Sequence, residues 1–170
     1  MYNKEIKALL TLAILSSSIY LFTLGEIGYG IVLILIMGLV ILSIFKDERI
    51  LRAFYYLRKN NMQKAEDVLA KLKHPEKLIK SQEAYYYYLN GLVLSQTQMN
   101  KAEKFFKKGL SLGLRSDTDK AVAKLNLAGL AMSRRRKREA TTLLTEVKKL
   151  DKHNMLEDQV KMMKQQLKRI

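Results

Sequence analysis

The chain has 170 residues, with 31 Lys and Arg against 16 Asp and Glu, eight glycines, one proline and no cysteine. That length accommodates one modest domain plus an extra element, and the scarcity of proline and glycine suits a helical protein and disfavours a turn-rich β fold. Without cysteine there is no disulfide frame, no thiolate metal site and no cysteine nucleophile, and a reducing compartment fits.

The net charge of +15 is unevenly placed. Residues 1–45 carry only Lys4, Lys7, Glu5 and Glu26, which cancel, so residues 46–170 hold all of it. A neutral apolar head joins a basic body.

In the head, "ALLTLAILSSSIYLFTL" (8–24) and "IGYGIVLILIMGLVILSIF" (27–45) carry no charge. A helix needs about 20 apolar residues to cross the hydrocarbon core. The second run qualifies. The first is shorter and contains Ser16, Ser17 and Ser18, but Lys7 can snorkel and lengthen it. Gly25-Glu26 is too short a link for anything but an antiparallel hairpin. Lys4 and Lys7 precede it, and Lys46, Arg49 and Arg52 follow. The positive-inside rule then places both termini in the cytoplasm. A signal peptide is the rival for the first run. No A-x-A-like cleavage site follows, and a second span comes at once. Gly28-Tyr29-Gly30 looks like a potassium-filter fragment, but a filter needs a re-entrant loop between its spans, and the link has no such length.

The body repeats itself. "MQKAED" (62–67) is answered by "MNKAEK" (99–104), and "LNGL" (89–92) by "LAGL" (127–130). Shifts of 37 and then 38 residues align Ala65 with Ala102 and Ala140, and Leu69 with Phe106 and Leu144. Three units at near-constant spacing indicate a repeat architecture. Each reads as two helices. In the second helices, Ala65, Val68, Leu69 and Leu72 fall at i, i+3, i+4 and i+7, as do their counterparts. The first helices are more apolar, as in "AYYYYLNGLVL", which fits burial on two sides. His74-Pro75 closes the first unit. Arg115 to Asp119 offers side-chain caps before the third. Gly91 and Gly129 inside helices call for a packing or binding reason.

These residues resemble the tetratricopeptide repeat (TPR) family over about residues 46–150. In that family a small residue on the first helix packs on an alanine twelve residues later, a large residue follows four further on, and proline often closes the unit. Ala53, Ala65, Leu69 and Pro75 fit, as do Ala128, Ala140 and Leu144. The middle unit has Leu89, Ala102 and Phe106 but puts Asn90 in the small slot with Gly91 after it, which leaves its register open by one residue. The spacing exceeds the family's usual 34.

The last segment places Leu156, Val160, Met163, Leu167 and Ile170 on one face. It reads as a capping helix over about 154–169, with Asn154 as its N-cap. A coiled-coil or partner-binding helix is the sharper alternative.

The expectation is therefore an all-α chain: a transmembrane helical hairpin (1–45), then a TPR-like α-solenoid of about three helical hairpins with a cap (46–170). No catalytic set, cofactor site or metal site is expected. His74 and His153 lack companions at ligand spacing, and the acidic residues alternate with lysines as on solvated helix faces. By the resemblance, a concave groove would be lined by Ile50, Phe54, Leu57, Tyr87, Gly91, Leu94, Leu125, Gly129 and Met132. It would take an apolar peptide segment of a protein partner, or be filled by its own side chains or by the terminal helix. The lysines and asparagines of the family's carboxylate clamp are absent apart from nearby Asn126, so a C-terminal acidic peptide is not expected. The run Arg134, Arg135, Arg136, Lys137 and Arg138 occupies the third turn, where Arg58, Lys59 and Lys101 would share its edge. It would meet anionic lipid. Nucleic acid or ribosomal RNA is the rival ligand and is not favoured, because no planar side chains interleave the run.

The functional expectation is a non-enzymatic scaffold that recruits or holds protein partners at the cytoplasmic face of a bacterial inner membrane. The alternatives are an accessory subunit of a larger membrane complex and a ribosome- or nucleic-acid-associated membrane protein.

Overall fold

The structure is a computed structural model that describes residues 4–45 and 47–169. Lys46, one of the basic residues flanking the second apolar run, and Ile170, the last residue of the capping stripe, lie outside them. Among the described residues the chain is all-helical, with no strand. It divides into two compact units, Met1–Glu48 and Arg49–Ile170.

The smaller unit holds α1 (Lys4–Thr23) and α2 (Ile27–Phe45). Gly25 links them at φ 82°, a left-handed conformation that glycine adopts without a Cβ penalty. The two helices pack against each other with small and polar groups at the seam. Ser18 is buried, and its hydroxyl donates to the Gly30 carbonyl at 3.1 Å. A Cβ on Gly30 would lie 2.8 Å from the Phe22 ring, so glycine sets the approach of the helices. Outward stand Leu9, Leu12, Ile19, Leu35 and Leu39, all exposed. By length and composition one helix is apolar enough to cross a membrane, over Ile6–Thr23 at a mean hydropathy of 1.7. The apolar stretch Ile27–Ile41 of α2 is shorter.

The larger unit takes in most of α3 (Glu48–Arg58), then α4 (Met62–Ala70), α5 (Lys80–Leu94), α6 (Met99–Leu112), α7 (Asp117–Ser133), α8 (Lys137–Leu150) and α9 (Glu157–Arg169). Local chemistry sets these bounds. The Asn61 side chain accepts from the Lys64 N–H and starts α4. Ser116 does the same for Asp119 at the head of α7, so the caps read from residues 115–119 are present. Pro75 opens a 3-10 turn, Pro75–Lys77, between α4 and α5. Gly113, at φ 87°, ends α6.

The turns after α3 and α7 share one geometry. Asn60 and Arg135 both adopt left-handed φ, 55° and 57°. The Asn60 N–H reaches the Leu57 carbonyl and the Asn61 N–H reaches Tyr56, while Arg135 and Arg136 repeat this with Met132 and Ala131. That pair of bonds is a Schellman motif, which satisfies the carbonyls left open at a helix end.

The core follows the alignment. Ala65, Ala102 and Ala140 are completely buried, and so are Leu69, Phe106 and Leu144. Ala53 and Ala128 are buried as well. In the middle pair, α5 and α6 run antiparallel. Gly109 sits so close to α5 that a Cβ there would lie 3.0 Å from the Ala84 carbonyl oxygen, and one on Gly91 would meet the Phe106 ring at 2.8 Å. This resolves the register left open in the sequence: Gly91 faces the partner helix, while the Asn90 amide donates back to the Tyr86 carbonyl of its own helix.

The end of the chain corrects one expectation. Helix α9 begins at Glu157, and Asn154 does not cap it; Asn154 takes a left-handed φ of 53° in the preceding turn. The cap is Asp151, whose carboxylate accepts the Met155 and Leu156 N–H groups at 3.0 and 2.7 Å. A carboxylate at a helix N-terminus also meets the positive end of the dipole. Leu156, Val160 and Leu167 turn inward onto α7 and α8, with Met163 half-buried beside them.

Candidate interaction surfaces

The nine residues read as a groove do not form one open surface. Ile50, Gly91, Leu94, Leu125 and Met132 are buried. Two causes account for it. Ile50 and Leu94 turn into the shared core of the larger unit, and the Phe106 ring fills the space over Gly91. Leu125 and Met132 lie in clusters shared with α9, and the Met163 methyl comes within 3.5 Å of where a Gly129 Cβ would be. The terminal helix thus occupies that end. Leu57, Tyr87 and Gly129 are half-buried, and Phe54 is exposed.

What α5 does present is a group of tyrosines. Tyr86 and Tyr87 meet edge to face at 5.3 Å between centroids, and Tyr87 lies 5.8 Å from the Phe105 ring. Lys108 stands 6.0 Å over Tyr87. Tyr85 turns the other way and donates its hydroxyl to Asp119 at 2.7 Å, joining α5 to α7. Burial, and then the Asp119 hydrogen bond, push the Tyr85 phenol up to about 12. Burial first, then the Asp119 charge, raise Tyr88 as well. Both stay neutral donors, suited to joining helices and not to general-base chemistry.

The basic run is also not a uniform stripe. Glu103, on the second turn of α6, collects Lys107 at 2.7 Å, Arg134, and Arg136 at 3.7 Å. Arg134 also donates to the Asn100 side chain, and Arg136 approaches Glu139 at 3.4 Å. The Lys107 hydrogen bond, then the Lys107 charge and Arg134, hold the Glu103 carboxyl below its ordinary range. Two of the five cations therefore tie the turn after α7 to α6. Arg135, Lys137 and Arg138 are exposed. Of the residues expected to share the edge, Arg58 and Lys101 are exposed, and Lys59 stands 4.7 Å over the Tyr55 ring.

Three positioning features escaped the sequence reading: the Glu103 cluster, the Tyr85–Asp119 bond and the Asp151 cap. The i, i+4 spacing of Glu103 and Lys107 was a visible signal for the first. The Tyr85–Asp119 bond joins residues whose nearness only the folded chain reveals, whereas the Asp151 bonds are local, four and five residues along the chain. Among the described residues no group of three acidic or histidine side chains could hold a metal ion. No family model, no curated protein and no solved structure matches this chain.

Proposed function

We propose that the chain is a non-enzymatic, membrane-anchored scaffold. In this reading α1 and α2 form a two-span anchor in a bacterial inner membrane with both termini cytoplasmic. Helices α3 to α8 form a TPR-like solenoid of three helical pairs closed by α9. The domain holds a protein partner at the cytoplasmic face.

One observation carries the reading. Positions related by shifts of 37 and 38 residues share complete burial, at Ala65, Ala102 and Ala140 and again at Leu69, Phe106 and Leu144. Helix α4 touches α5 and α6 touches α7, which supports reading each helical pair as leaning on the next, as in stacked repeats. The smaller unit, taken by itself, turns its leucines outward, which suits lipid. The partner-facing surface is drawn on the half-open tyrosines of α5, Tyr86 and Tyr87, in place of the wider groove. The exposed Arg135, Lys137 and Arg138 supply a basic edge for anionic headgroups, each contributing about 1 kcal/mol near the surface.

Photo-crosslinking tests this. With a photoreactive residue in place of Tyr87, full-length chain in native membranes should give a discrete higher-mass adduct. The same residue at Lys168, on the polar side of α9, should give none. Absence of any adduct at Tyr87 would remove the partner surface from the account.

A further inference from the structure

Helix α3 is apolar on two sides. Ile50, Ala53 and Leu57 turn into the core. Leu51, Phe54, Tyr55 and Arg58 fall at i, i+3, i+4 and i+7, a second stripe on an adjacent side of the same helix. That stripe is bare: Leu51 is 71% exposed, Tyr55 52% and Phe54 37%. The other end of the array differs. There α9 covers the last pair and shows water a charged outer face bearing Glu157, Lys161 and Lys164. A solenoid needs a polar cap at both ends to remain soluble. Among the described residues, this stripe at the α3 end of the larger unit carries a single charge, Arg58 at its far end.

We infer that the outer stripe of α3 lies in the headgroup region of an anionic bilayer, so that lipid closes this end of the array. The inference rests on α1 and α2 being a membrane anchor. Covalent continuity brings the surface within reach. Leu51 follows Phe45 by six residues, which span at most about 20 Å even when fully extended. The chemistry of the stripe matches that depth. Leucine and phenylalanine enter the acyl boundary, and tyrosine favours the interface because one end of its ring is apolar and the other wet. Arg58, at the end of the stripe, can extend its stem along apolar surface and keep its guanidinium among phosphates. Lys59, held 4.7 Å over the Tyr55 ring, adds a second cation at the same level. An amphipathic helix of this kind lies in the plane of the membrane with its apolar side roughly 5–10 Å below the headgroup boundary.

The chain has no tryptophan, so a single introduced one reports its own surroundings. Full-length Leu51→Trp, Tyr55→Trp, Leu35→Trp and Met162→Trp variants would be reconstituted in vesicles of phosphatidylglycerol and phosphatidylethanolamine. The lipids would carry bromine at shallow or deep acyl carbons, and circular dichroism would check that each variant is folded. Leu51→Trp and Tyr55→Trp should each lose about half their emission to shallow bromine. Leu35→Trp should respond to deep bromine, and Met162→Trp, on the capping helix, to neither. If Leu35→Trp is quenched while positions 51 and 55 behave like 162, the anchor stands and the inference is overturned. If Leu35→Trp is not quenched either, the anchor reading fails and the inference falls with it.

Discussion

Leu35 and Leu39 stand in the open on α2, whereas Leu69, Leu89 and Leu144 are wholly enclosed between helices of the larger unit. The side-chain chemistry is the same and the placement opposite. In the larger unit, helices meet through leucine, alanine and phenylalanine and turn lysine outward, as burial of apolar surface from water demands. In the smaller unit the two buried described residues are Ser18 and Gly30, joined by a hydroxyl-to-carbonyl hydrogen bond. On the proposed anchor reading, lipid supplies no hydrophobic drive between these helices, and small residues and polar bonds would hold the seam. The contrast shows that apolar content alone does not define a core; its position relative to the helix seams does.

The largest effect expected from this contrast is in core packing. Phe106→Ala removes a fully buried ring and should lower stability by about 3–5 kcal/mol. Leu35→Ala should barely move the same transition, read by circular dichroism during urea titration of full-length chain in detergent micelles. Equal losses would erase the distinction. Next in size is a charge placed on each exterior. Leu35→Lys should cost roughly 3 kcal/mol of membrane insertion and deplete the alkali-washed membrane fraction. Met162→Lys, also on an exposed position, should leave that fraction unchanged.

A smaller effect concerns the ion cluster of the larger unit. The Glu103 carboxyl is lowered from its ordinary value of 4.5, first by the Lys107 hydrogen bond. A depressed folded value stabilises the protein above the unfolded value and loses that contribution as pH falls through the folded one. The native chain should therefore weaken as pH drops below 4.5, and Glu103→Gln should weaken less steeply over the same range in acid titrations followed by circular dichroism. The smallest change is at a turn. Arg135 holds a left-handed φ that a side chain disfavours, so Arg135→Gly should raise stability by about 1 kcal/mol in thermal unfolding. Asn60→Gly should gain less, because asparagine tolerates that conformation.

Much of the helical order was legible in the sequence. The alanines at 65, 102 and 140 and the large residues four positions later marked where helices press together, and all are buried. Periodicity reports that a face is apolar, but not which neighbour covers it. Hence the sequence left open whether a partner segment, the groove's own side chains or the terminal helix covers Leu125 and Met132, and they lie among the residues that α9 covers. The same limit applies to the basic run. Five adjacent cations look alike in sequence, yet Arg134 and Arg136 reach back some 30 residues to Glu103. Asn154 was a reasonable cap by residue type, but the backbone turns left-handed there and Asp151 reaches the free N–H groups first.

Because the chain has no native cysteine, one introduced thiol reports one position. The most direct test of the membrane-anchored arrangement compares Leu35→Cys and Met162→Cys with an impermeant maleimide, in intact and in broken cells. Neither should label in intact cells. After breakage, Met162→Cys should label fully while Leu35→Cys stays silent until detergent is added. Labelling of Met162→Cys from outside intact cells, or of Leu35→Cys as readily as Met162→Cys after breakage, would contradict the account.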